Sequence, residues 1–151
     1  MFSNVNKLFT LVGRLIFGGF YLYYGLNNLV DYAGMTGYAA FKAVPMPSIA
    51  VIVGAALLLI GGASLVLGYR PVIGIAALVV FLLPVTMMMH NFWTIADPQM
   101  HVIEQGLWMR NMALAGAALV FLAIPRPWAW SVDEALDRKS DRAQAQTRLA
   151  H

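Results

Sequence analysis

The chain has 151 residues, 60% of them hydrophobic and 11% charged, with ten basic and seven acidic side chains and a formal charge of +3. A soluble domain of this size carries about a quarter charged residues because its surface faces water, so lipid is the expected solvent for most of this chain. Having no cysteine, it cannot form disulfides, thiolate metal sites, iron–sulfur clusters or CxxC redox centres, and its basic residues flank apolar runs instead of lining a nucleic-acid stripe.

The first apolar run, 8–30, follows Lys7. Its length, the interrupting Arg14 and the lack of a small-x-small cleavage motif predict a retained span, not a signal peptide. Arg14 sits about two turns into this span, roughly 9 Å along it. A charge at mid-bilayer costs about 3 kcal/mol on insertion scales. Two readings follow: the arginine snorkels to the near surface, or it faces the bundle as an anion or proton site. Asn27, Asn28 and Asp31 end the run, and 31–48 reads as a loop.

The second run, 49–67, is rich in small residues (Gly54, Gly61, Gly62, Ser64), as are stretches of the first and last runs, which predicts close helix crossings. A tight turn, Gly68 to Pro71, carries Arg70 and leads to the third run, 72–89, where Pro84 predicts a kink. Met87, Met88, Met89 and His90, with Met100, His101 and Met109, raise a copper reading. Successive helical residues diverge by about 100°, so three methionines in a row cannot converge on one ion. Methionine is also common apolar filling. No metal site is expected, nor a haem between His90 and His101. A second loop, 90–106, leads to the fourth run, 107–124. Trp128 and Trp130 then suit a headgroup belt, and 131–151 reads as a solvated charged tail, partly helical or disordered.

These runs predict an all-α protein: a four-helix transmembrane bundle over 1–130 with a charged cytoplasmic tail over 131–151. Only helices satisfy every backbone group within a single span, and the runs lack the alternation of barrel strands. Lys7, Arg70 and the basic residues from Arg126 onward outnumber Lys42 and Arg110 on the other side. The positive-inside rule therefore puts both termini in the cytoplasm (N-in/C-in), in a multi-pass protein of the inner, or plasma, membrane.

Antiparallel helices would gather Asn27, Asn28, His90, Trp93, Glu104, Gln105, Arg110 and Asn111 at the outer end, with Arg14 near the inner one. A bend in the chain could pair Arg110 with Glu104. These nine residues are the candidate ligand or headgroup contacts, and the outer group suits a carbonyl-bearing or anionic head such as a quinone or a phospholipid. The competing reading is that they cap helix ends and pin loops.

The segment Gly13-Arg14-Leu15-Ile16-Phe17-Gly18, then Tyr21 to Asn28, resembles the first helix of the DoxX family of small integral membrane proteins. Asp31 to Gly34, the Tyr38-to-Pro47 stretch, Gly61-Gly62, His90 to Trp93 and Met109 to Gly116 are similar to later parts of that family. The resemblance implies a four-helix bundle that accompanies membrane redox systems, some relatives being similar to the small subunit of thiosulfate:quinone oxidoreductase. The family's usual second-helix glutamate is absent from 54–60, Asn28 stands where a lysine is common, and Arg110 replaces another lysine. The missing acid removes the natural partner of Arg14 and points away from a proton relay. The expected function is an accessory or anchoring subunit of a redox enzyme, embedded in the lipid bilayer. It has no assigned cofactor except a quinone or lipid at the outer mouth, and no stand-alone catalysis. A small transporter or lipid- or solute-handling protein is the alternative.

Overall fold

The computed structural model describes residues 4–149, and the last two residues of the expected tail lie outside it. Six helices account for nearly all of the described residues: α1 (Asn4–Val30), α2 (Tyr32–Phe41), α3 (Pro47–Leu67), α4 (Pro71–Met89), α5 (Pro98–Val120) and α6 (Val132–Leu149), with short 3-10 turns at Phe92–Thr94 and Phe121–Ala123. There is no strand among the described residues. Four helices, built on α1, α3, α4 and α5, are long and apolar enough to cross a membrane, so the predicted all-helical four-span bundle is the fold. The two ends of the bundle are named here by what they carry: a mouth end, where α1 and α4 finish, and a strap end, where the chain after α5 folds back.

Two segments differ from the reading of the sequence. The 31–48 connection is not a loop but contains the ten-residue helix α2. The fourth spanning helix starts at Pro98, well before Leu107. Local chemistry explains the early start: Pro98 occupies the first helical turn, and the Asp97 side chain accepts the Met100 N–H at 2.8 Å, which satisfies one of the free amide donors at the helix N-terminus. The polar residues Gln99, His101, Glu104 and Gln105 therefore lie on a helix.

The spanning helices pack in order, α1 on α3, α3 on α4 and α4 on α5, with α2 laid on α3. Small residues set these crossings. A Cβ on Gly18 would lie 2.8 Å from the Gly62 carbonyl oxygen, and one on Gly62 would lie 2.7 Å from that of Gly18. The α1 and α3 backbones therefore touch, the usual way to gain dispersion contact where lipid supplies no hydrophobic force. Gly61 does the same against Leu78, and Gly74 against Ser64, for α3 and α4. α1 meets the 3-10 turn that follows α5 near the strap end, where the rings of Phe17 and Phe121 lie 5.4 Å apart. The α4 helix continues through Pro84, and two residues on the buried Thr86 hydroxyl donates to the Leu82 carbonyl at 2.6 Å.

The core comprises Tyr21, Leu58, Leu65, Ile75, Leu78, Leu82, Ala115, Ala118 and Trp128. Trp128 is not a belt residue: it is buried, whereas Trp130 is exposed. The chain after α5 is thus a strap that plugs an indole into the bundle before α6 leaves as a charged helix. Asp133 N–H donates to the Gly68 carbonyl at 3.4 Å and the Asp133 carboxylate accepts Arg70 N–H at 3.0 Å, tying the strap to the α3–α4 turn.

Candidate functional site

The nine residues expected to contact a ligand fall into three groups. Asn27, Trp93 and Gln105 are exposed and point away from the bundle. Arg14 is alone at the strap end. Asn28, His90, Glu104, Arg110 and Asn111 converge at the mouth end, all but Arg110 of them buried.

Arg14 does not snorkel. It is 2% exposed, and its Nη2 donates to the Trp130 carbonyl while Nε and Nη1 have no partner. Glu134 fixes that acceptor from the other side, since its carboxylate accepts Trp130 N–H at 2.7 Å. Gly68 lies flat against the guanidinium: its φ of +63° suits glycine, and a Cβ there would come 2.6 Å from Nη1. Arg14 therefore pegs the strap. Replacing a poorly partnered buried cation with an apolar side chain of similar length is close to neutral for stability. Arg14→Met is accordingly expected to shift bundle stability by no more than about 1 kcal/mol while exposing the strap. The check is chymotryptic cleavage after Trp130, which should be faster in the variant.

At the mouth end, the Arg110–Glu104 pairing expected from a bend in the chain does not form. Glu104, 4% exposed, pairs instead with Lys42 (Oε1 to Nζ, 2.6 Å) and with His90 (Oε2 to Nδ1, 2.7 Å). One carboxylate thus joins the residue that caps α2, the residue that caps α4, and α5. Buried charges persist when paired and hydrogen-bonded, which explains an acid inside an apolar helix. Nδ1–H donates to the carboxylate, leaving Nε2 free for other use. Lys42 was missed as a site residue because a lone lysine between two spans reads as an orientation signal. The clue was its isolation, together with that of Glu104, in a long apolar stretch.

Arg110 and Asn111 lie about six residues deeper along α5, roughly 10 Å further in. The Arg110 Nη2 reaches the Asn111 side-chain oxygen at 3.5 Å, a weak contact for a charge at this depth. They line a cavity of about 170 Å³ with Asn28, Tyr21, Tyr24 and His90. Tyr21 is 1% exposed and its hydroxyl has no hydrogen-bond partner. No acidic side chain lines this cavity; Glu104 stands behind His90.

A second cavity, of about 320 Å³, adjoins the first and is almost wholly apolar. It runs under α2 and between α3 and α4, past Leu57, Val80 and Val85. The two share Asn28, Met35, Phe81, Val85 and Met89. Val53, Val80 and Met88 on the wall of the apolar cavity are also exposed on the outer surface, so it opens towards lipid. No group of histidines and acids among the described residues could hold a metal ion.

The chain is similar to Inner membrane protein YphA of Escherichia coli (strain K12), at 27% identity over 135 residues, covering 87% of this chain and 93% of that protein. No solved structure matches it. The DoxX family profile matches residues 9–91, from α1 through α4 to the His90 corner, which is more than half of the sequence. The chain is therefore a member of the DoxX family, a four-span membrane protein.

Proposed function

We propose that this protein binds a membrane-dissolved amphiphile, a quinone or a lipid, at its mouth end, and serves as an accessory or anchoring subunit of a membrane redox system. The observation that carries the binding half is the pair of adjoining cavities, one almost wholly apolar and the other mostly apolar but set with several polar side chains. One is apolar and open to lipid, and the other holds an unpartnered hydroxyl, two buried carboxamides and an arginine. Binding sites are mostly apolar with a few placed polar groups, and this pair matches a tail and a head. The residues fit a quinone: Tyr21, Arg110 and Asn111 would donate to its ring oxygens, and Leu57 and Val80 would line its tail. When bound it would supply two-electron redox chemistry, while this chain positions and shields the head. The accessory role is what the DoxX resemblance implies, and the charged α6 offers a partner a polar helix outside the spans. A relative named as an inner membrane protein supports the same membrane here, and the basic residues support cytoplasmic termini.

Gentle detergent extraction followed by mass spectrometry tests the whole reading: a stoichiometric quinone or lipid and a co-purifying enzyme are expected. Leu57→Trp, which fills the apolar cavity, should cut the retained amphiphile at least fivefold while leaving the helix content unchanged. Recovery of the protein alone with bulk lipid, unchanged by Leu57→Trp, would defeat the proposal.

A further inference from the structure

Resting on that reading, we infer that the ligand is a one-tailed amphiphile threaded beneath α2, its hydrogen-bond-accepting head anchored by the Tyr21 hydroxyl with Arg110 alongside. Three observations converge. First, the Tyr21 side chain is in the core, 1% exposed, and its hydroxyl has no partner, while the residue is part of the polar cavity's lining. A buried hydroxyl without a hydrogen bond costs free energy, so its presence points to an acceptor that arrives with the ligand. Second, among the described residues Arg110 is the one arginine or lysine lining that cavity and no acid lines it, while Glu104 is already taken up by Lys42 and His90. The head that complements this arrangement carries an accepting oxygen, as a ring carbonyl or a carboxylate does, and no positive charge. Third, the polar cavity adjoins the apolar one along a shared wall that includes Asn28 and Phe81. One lobe admits one tail. A diacyl phospholipid brings two tails and a head larger than a cavity of about 170 Å³.

The full-length protein in detergent, stripped of lipid, is titrated with three probes: decyl-benzoquinone, decanoate and dioleoyl phosphatidylglycerol. The first two share a single tail and an accepting head but differ in charge, and the third has two tails. Binding of a one-tailed probe at least tenfold tighter than that of the phospholipid is expected. Tyr21→Phe should weaken the one-tailed probe about tenfold, the loss of one hydrogen bond. It should leave the ligand-free thermal midpoint unchanged or raised, because the hydroxyl it removes is unpaired. A merely structural tyrosine would show the reverse, a lower midpoint with unchanged binding. Arg110→Gln separates the two head types, weakening decanoate more than the quinone if the head is an anion and both alike if it is a carbonyl. Equal binding of phospholipid, or Tyr21→Phe without effect on any probe, overturns the inference while leaving the broader reading standing. If no probe binds and Leu57→Trp changes nothing, the broader reading falls and takes the inference with it.

Discussion

Glu104→Ala is expected to destabilise the protein by about 3 kcal/mol or more, the cost of leaving a buried cation without its partner. The carboxylate is 5% exposed in its side chain and contacts Lys42 at 2.6 Å and His90 at 2.7 Å. Its removal strands an ammonium and an imidazole at the edge of an apolar interior. Structural consequences should be local as well as global. Lys42 caps α2, which lines both cavities through Met35, the apolar one also through Ala39 and the other through Tyr38, so the variant should lose the roof before it loses the spans. Hydrogen exchange in detergent measures this: amides of 32–44 should gain far more in exchange rate than those of α3 and α4. Glu104→Gln keeps one acceptor and should recover part of the loss. Equal protection of α2 in wild type and Glu104→Ala would show that the ion pairs hold nothing in place.

The second large effect is expected at the α1–α3 crossing. Gly62→Val places two methyl groups where the Gly18 carbonyl oxygen would already lie 2.7 Å from a Cβ, with the Leu22 backbone nitrogen at 2.9 Å. Neither neighbour is a flexible side-chain end, so the helices must separate. Overpacking of this kind costs about 1–3 kcal/mol; the upper end is expected here because backbone, not side chain, has to move. Separation also removes the dispersion contact along the most extensive interface in the bundle. The thermal midpoint in mild detergent should fall by several degrees. Gly19→Val, on the facing helix beside Gly18 but with nothing within 4 Å of its Cβ, should leave it unchanged.

The parts of this fold that were legible in the sequence are those governed by lipid solvation. Runs of apolar residues long enough to cross a bilayer leave little choice of structure, and all four became helices. Close helix crossings were legible from small residues, but not which helices would meet: Gly18 and Gly62 touch, whereas Gly19 and Gly116 face open space. Polar segments were harder. Residues 98–106 look like loop because Gln99, His101, Glu104 and Gln105 interrupt the hydropathy, yet Asp97 caps a helix there and Glu104 finds two partners far along the chain. Gly34 and Gly37 disguised α2 in the same way. The candidate site was half legible. Asn28, His90, Glu104, Arg110 and Asn111 do share one end, but Lys42 and Tyr21 were not singled out. A lysine in a connection reads as topology, and a tyrosine in a span reads as packing, until its hydroxyl is seen without a partner. Arg14 could not be read either way, because its acceptor is a backbone carbonyl, which no sequence pattern marks.

The bond between Arg14 and the Trp130 carbonyl joins positions 116 residues apart. Ribosomes deliver chains from the amino end, so the guanidinium enters the bilayer with the first helix, while its acceptor is still to be made. Throughout the synthesis of three further crossings that cation has no protein oxygen to lean on. The strap that finally supplies one also drops Trp128 into the core, so completion of the chain and closure of that end are one event. A truncation before Trp128 would leave the earliest-inserted charge permanently without its ally.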